Sequence, residues 1–135
     1  MSVDLSSLHK AIAKLAEAID RWKADEANEF VRDSVIQRFE FSYDLLAKSI
    51  RRVLEEVLAS PAEIPLMSFP TMIRTAWEQG LIASEWADWH RFREMRNITS
   101  HTYDEEKAKA VAAAVPEFLA EAGAVASRLE DALSR

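Results

Sequence analysis

Cysteine is absent from this chain, which removes disulfides, thiol nucleophiles and Cys-ligated zinc from consideration. Glycine occurs twice and proline four times in 135 residues. So little turn material does not suit a many-stranded β fold, and few, long helices are the natural reading. No apolar run approaches the ~20 residues that a membrane span needs. The stretch Met1-Ser2-Val3-Asp4 lacks the basic start and apolar run of a signal peptide. A cytoplasmic protein without membrane attachment is the resulting expectation. Several chemistries are missing as well. No Glu-x-x-His pair supports a ferritin-like diiron site, no glycine-rich loop cradles phosphate, and no serine sits in a nucleophile elbow. Neither a metal nor a cofactor is implied.

What is present is a hydrophobic content of 49% with 30% charged residues, the balance of one globular domain, taken as residues 1–135. The net charge of −6 argues against broad, non-specific nucleic-acid binding, which rests on a basic surface. The charge is uneven. Residues 89–103 carry Arg91, Arg93 and Arg96 against Glu94 alone, a local +2 that leaves −8 for the rest. A small basic site on an acidic body fits selective phosphate contact better than coating of a polyanion.

Hydrophobic spacing divides the chain into five helices, four long or medium and one short, an all-α fold. Residues 5–23 place Leu5, Leu8, Ile12, Leu15, Ile19 and Trp22 on one stripe. Residues 29–58 form a long helix free of glycine and proline. Val35, Ile36, Phe39, Tyr43, Leu46, Ile50, Val53 and Leu54 share its broad apolar face. Phe30, Phe41 and Leu45 lie on another side, to be covered by the bundle itself or, as the preferred reading, by a second subunit. Pro61, Pro65 and Pro70 mark 59–70 as a connector. A short helix follows over 70–79, with Gly80 as its C-terminal cap. The fourth helix covers 84–96 with Ser84 as N-cap and Glu85 in its first turn. The last begins near Asp104 and runs to about residue 133, with a kink expected at Pro116. Thr102 and Glu105 have capping-box spacing.

The chemistry concentrates in Arg96-Asn97-Ile98-Thr99-Ser100-His101-Thr102-Tyr103. Arginine grips phosphate as a bidentate fork, histidine moves protons near neutral pH, and a tyrosine hydroxyl can be modified. On a helical wheel Trp86, Trp89, Phe92, Arg93 and Arg96 fall within an arc of about 120°. A charge on that face needs a partner. An ion pair to Glu40 or Asp44 of the long helix is the plain reading for Arg93, and less so for Arg96, which opens the run. His9 and His90 read as surface residues. Thr99, Ser100 and Thr102 read as loop and cap residues, and Asn97 as able to orient a phosphate or the imidazole. RNA cleavage needs a base for the 2′-hydroxyl proton, an acid for the leaving 5′-oxygen and a cation for the phosphorane. One chain offers one histidine in this run. A two-fold dimer would bring two copies of His101 and of Arg96 to one cleft.

Arg96-Asn97-x-x-x-His101-x-Tyr103 resembles the Arg-x4-His-x-Tyr signature of HEPN-domain proteins. Most of the chain is similar to the nucleotidyltransferase substrate-binding protein family, the HepT-like toxins. Val35-Ile36-Gln37-Arg38-Phe39-Glu40-Phe41-Ser42-Tyr43-Asp44-Leu45-Leu46 is similar to the family's long-helix signature. Pro70 through Gly80-Leu81-Ile82, then Met95 through Glu105, follow in the family's order. The connector 59–69 looks longer than usual. The resemblance implies an antiparallel up-and-down helical bundle that forms a homodimer or higher oligomer and pairs with a minimal nucleotidyltransferase acting as antitoxin. It also implies a metal-independent ribonuclease acting on RNA at a dimer cleft. Arg96 would bind the scissile phosphate, His101 would transfer protons, and Asn97 would support them. Tyr103 would accept AMP from the partner, and Arg93 is a further candidate contact to phosphate. The rival reading is a non-catalytic subunit that presents substrate or nucleotide to a separate nucleotidyltransferase.

Overall fold

The computed structural model describes residues 3–135; Met1 and Ser2, half of the stretch read above for a leader, lie outside the described residues. Five α-helices are arranged as α1 (Ser6–Ala24), α2 (Glu29–Val57), α3 (Phe69–Glu78), α4 (Trp86–Ile98) and α5 (Glu105–Leu133). Two 3-10 turns, Pro61–Leu66 and Thr99–His101, punctuate them. The all-helical bundle expected from the sequence is the fold observed. The four-residue link 25–28 folds α1 back on α2, and α5 packs against both, so α2 is the central strut.

Local chemistry explains the boundaries. Asn28 caps α2, its side-chain oxygen accepting from the Phe30 and Val31 amides at 3.0 and 3.2 Å. Ser68 caps α3 by accepting from the Thr71 amide at 3.3 Å. That helix ends in a Schellman motif. Gly80 takes φ +76°, its amide donates to Trp77 O at 3.0 Å, and the Leu81 amide donates to Ala76 O at 2.9 Å. The expected C-cap at Gly80 is therefore correct, because only glycine enters that left-handed well without strain.

Two caps differ from the sequence reading. Glu85, not Ser84, holds the N-cap position of α4 and makes no side-chain cap hydrogen bond. Ser84 Oγ instead accepts from Trp89 Nε1 at 3.0 Å, because a buried indole N–H needs a partner more than a solvated helix end does. The Thr102–Glu105 capping box does not form. The Asp104 carboxylate accepts from the Glu106 and Lys107 amides at 3.0 and 3.3 Å, and the Thr102 hydroxyl turns back to Thr99 O. As expected, α5 runs on past Pro116 to Leu133 as one helix.

The core is an aromatic column joining α2, α4 and α5. Phe118 meets Phe39 edge-on at 5.0 Å between ring centroids and Phe92 at 5.4 Å, and Phe92 meets Trp89 at 5.7 Å. All four side chains are buried. Although Glu117, Glu121 and Arg128 divide α5 into short apolar runs, the helix is long and apolar enough, by length and composition alone, to cross a membrane. Its apolar positions Val111, Val115, Phe118, Ala122, Val125 and Leu129 are nevertheless buried in the bundle. That is the stripe of a core helix.

Candidate functional site at the end of α4

Helix α4 has two faces. Trp89, Phe92 and Met95 are buried and hold it on the bundle. Trp86, His90, Arg93 and Asn97 recur at steps of four, three and four on the outer side and are exposed. Arg96 lies between the two faces, in the last helical turn. The chain then tightens into the 3-10 turn Thr99–His101 and reaches α5 through Thr102–Asp104.

Hydroxyls lock this turn to its own backbone. Thr99 Oγ1 donates to Arg96 O at 2.6 Å, Ser100 Oγ to Asn97 O at 3.0 Å and Thr102 Oγ1 to Thr99 O at 3.2 Å. The reading of these three as loop and cap residues is therefore correct. The turn holds His101 and Tyr103 on the surface, with ring centroids 6.2 Å apart at 69°. Tyr103 is 86% exposed, which leaves its hydroxyl open to a macromolecular reagent.

The arginines exchange the roles expected of them. Arg96, not Arg93, is clamped to the long helix. Its Nε and Nη2 donate to Asp44 Oδ1 and Oδ2 at 2.9 and 3.0 Å, with Glu40 3.6 Å away. Nη1 donates to Thr99 Oγ1 at 3.1 Å. A fork-to-fork pair of this kind fixes the guanidinium plane. Its hydrogen bonds to Asp44 raise the Arg96 pKa above the ordinary arginine value, against an opposing push from burial. The side chain keeps 28% of its surface. Of five guanidinium N–H groups, these three hydrogen bonds leave one on Nη2, which faces Glu40, and one on Nη1 without an acceptor among the described residues. Arg93 makes no ion pair among the described residues and lies over the Phe69 ring at 5.1 Å. Position explains the exchange: three residues further along α4, Arg96 meets Asp44 directly, whereas Arg93 meets a ring.

Tyr43 lies behind the clamp. Burial pushes its phenol up to about 12, with Arg93 and Arg96 pulling the other way and Asp44 adding to the rise. It stays neutral near pH 7 and fills the core against Phe118. A second arginine, which sequence reasoning did not single out, holds the far end of the turn. Arg32 on α2 is hydrogen-bonded to Glu105, and its Nη2 donates to Asp33 at 3.1 Å. Burial works to lower its pKa, but those bonds and charges outweigh it and the net shift is upward. The one sequence signal for Arg32 is its position four residues before Ile36, on the buried face of α2. Thr99 as a ligand of Arg96 was also missed, and its spacing of three along the helix was the available cue.

The structure thus brings Arg96, Asn97, His101 and Tyr103 to one surface turn and sets Arg93 one helical turn back. His9 and His90, read as surface residues, are exposed and meet Glu130 and Glu94. The arrangement offers a fixed cation, a solvent-facing imidazole and an open phenol. That set can bind an anion, move a proton and accept a transferred group.

A family model described as "Nucleotidyltransferase substrate binding protein like" matches residues 3–131. The "Probable ribonuclease HepT" of Haemophilus influenzae is 36% identical over 127 residues, which covers 91% of this chain and 84% of that protein. The solved structure of HI0074 from Haemophilus influenzae, described as the fold of a substrate-binding domain of a nucleotidyltransferase, matches with a TM-score of 0.88. It is 32% identical, over 94% of this chain and 99% of that one.

Proposed function

The chain belongs to the nucleotidyltransferase substrate-binding protein family, and from that premise we propose that it is a HepT-like ribonuclease toxin, silenced when a minimal nucleotidyltransferase transfers AMP to Tyr103. The observation that carries this reading is the exposed turn itself. It sets His101 and Tyr103 in solvent directly after an arginine whose plane is fixed and whose Nη1 retains an open N–H.

In the proposed reaction one His101 takes the proton of the RNA 2′-hydroxyl. The 2′-oxygen attacks the adjacent phosphorus, and the bond to the 5′-oxygen breaks. A second His101 protonates that leaving oxygen, which yields a 2′,3′-cyclic phosphate and a free 5′-hydroxyl. Arg96 stabilises the charge on the phosphorane, and Asn97 supports the phosphate. Each protomer supplies one histidine in this turn, so both proton transfers are met at a two-fold contact between turns. The exposed ring of Phe41 and the half-buried Leu45, on the outer side of α2, offer apolar surface for that contact. The two imidazoles meet the acid–base demand by themselves, so the reaction is expected to survive chelation.

Silencing follows from charge. The Tyr103 hydroxyl attacks the α-phosphorus of ATP, loses its proton and releases pyrophosphate. The AMP then sits beside His101, where its phosphate repels that of RNA. The comparisons support this reading through a relative named as a ribonuclease. One observation favours the rival, a non-catalytic subunit of a nucleotidyltransferase. Two carboxylates, Asp44 and Glu40, already oppose the Arg96 charge and weaken its pull on phosphate.

The experiment is incubation of the purified protein with total RNA and with tRNA in excess EDTA, beside His101→Ala. Cleavage by wild type alone supports the nuclease. No cleavage by folded wild type free of AMP on Tyr103 transfers the assignment to the binding subunit.

A further inference from the structure

Two tryptophans remain at the surface on the outer side of the bundle. Trp77 of α3 is 52% exposed and Trp86 of α4 is 36% exposed. They line one groove of about 320 Å³ together with Ile73, Arg74, Glu78 and Glu85. Trp86 is held in place, edge-on to Phe69 at 6.0 Å and 5.7 Å from the His90 ring. Large flat apolar side chains gathered in one open groove mark a surface that something covers.

The groove is continuous with the candidate site. Trp86, His90, Arg93 and Asn97 form one exposed stripe along α4 that leads to the turn bearing His101. At 1.5 Å per residue the stripe spans about 16 Å, the length of a few nucleotides. Arg93, held over Phe69 without an ion pair among the described residues, is free to meet a phosphate midway.

We propose that the Trp77–Trp86 groove seats an unpaired nucleobase of the RNA, a few nucleotides from the cleaved bond, and selects a base with an exocyclic amino group; this rests on the ribonuclease reading. Stacking needs an open base face, which a duplex denies, so the substrate is single-stranded or looped at this point. The rim carries Glu78 and Glu85 beside Arg74. Carboxylates repel phosphate, so the backbone stays on the Arg93 side and the base enters. Carboxylates also accept from the amino group of cytosine, adenine or guanine, which uracil lacks.

The test uses His101→Ala protein, so that bound RNA stays intact. Its affinity is measured by fluorescence anisotropy for labelled oligocytidylate and oligouridylate, rings of one size that differ in the amino group. Oligocytidylate should bind more tightly and quench tryptophan emission. Adding Trp77→Ala, a change at an exposed side chain, should weaken oligocytidylate about tenfold, within the usual loss for a stacked base. Glu78→Ala with Glu85→Ala, which removes both acceptors, should erase the preference for cytosine. In otherwise wild-type protein, Trp77→Ala should raise KM for a cytosine-containing substrate and leave kcat near its original value. Equal oligocytidylate affinity with and without Trp77, in a protein that still cuts RNA, overturns the groove assignment and leaves the nuclease standing. Equal affinity of the parent for both oligonucleotides overturns the amino-group selection. A wild type that neither binds nor cuts RNA removes the nuclease reading and the groove assignment with it.

Discussion

Two arginine clamps bracket the candidate turn, and they differ in how much of each guanidinium stays open. Arg96 pins the start of the turn to Asp44 of α2, and Arg32 of α2 pins its end through Glu105. Both guanidiniums face two carboxylates, and both clamps use the same long helix as their frame. Arg32 is closed in, with 7% of its side-chain surface left, whereas Arg96 keeps 28%. A fully covered guanidinium can only hold elements together. One that is partly open can also present an N–H to a ligand. An ion pair at a site does not exclude function there, because the pair fixes the plane in which the remaining donor points.

Substitutions at the two clamps separate these roles. The largest expected effect is on catalysis. Arg96→Ala should lower RNA cleavage by about a hundredfold or more, the usual loss when a preorganised charge-stabilising donor is removed. Urea unfolding of the same variant should show only a small change, since its partner Asp44 is returned to water. A cleavage rate within twofold of wild type would place Arg96 among structural residues. Arg32→Ala should invert the pattern and cost about 2 kcal/mol of stability, from charged hydrogen bonds and stem packing together. Cleavage per folded molecule should be little changed. Loss of activity in fully folded Arg32→Ala protein would mean that the end of the turn also shapes the catalytic geometry.

Asp44→Asn tests the frame itself. It removes a negative charge beside the proposed phosphate site, so binding of a single-stranded oligonucleotide to the His101→Ala background should tighten a few-fold. Turnover should fall, because a neutral amide holds the guanidinium less firmly. Weaker binding would show that Asp44 serves mainly to aim Arg96 and hardly to neutralise it.

The smallest effect concerns a carboxylate without an arginine clamp. Glu121 accepts from Trp89 Nε1 at 3.3 Å. Burial raises its pKa, against the hydrogen bond from Trp89, with Asp88 raising it further and Arg128 lowering it. A carboxyl whose folded pKa is raised favours the fold while protonated. That benefit is present below the ordinary carboxyl value of 4.5 and is lost as pH rises through the folded value. Glu121→Gln should therefore be slightly more stable than wild type at pH 7, with the gain vanishing below about pH 4. Thermal melts at the two pH values check this, and an equal difference at both would remove ionisation as the cause.

Much of the site was legible because its residues are neighbours in the chain. Arg96, Asn97, His101 and Tyr103 lie within eight positions, and a tight turn leaves such a run little choice but to share a surface. The place of Thr99, Ser100 and Thr102 in the turn was legible for the same reason, but the partner of Thr102 was not, since its hydroxyl turns back to Thr99 O instead of capping the next helix. The wheel placed Arg93 and Arg96 on one aromatic face of α4. It could not say which of them would meet α2, because a 60° difference in direction is resolved only when two helices are docked. Ser84 was misplaced for a similar reason. As a local signal it reads as a cap, but the buried indole of Trp89 claims it from across the helix start.

The sequence alone therefore determined the helical class, the number and approximate limits of the helices, the cap at Gly80 and the chemical run from Arg96 to Tyr103. Each depends on periodicity or on neighbours a few residues apart. Tertiary structure decided that Arg96 rather than Arg93 is clamped to Asp44, that Arg32 holds the far end of the turn, and that Trp77 and Trp86 share a groove. These pairs are separated by 52, 73 and nine residues. What joins them is helix docking, an outcome of side-chain packing across the whole bundle that no local pattern encodes.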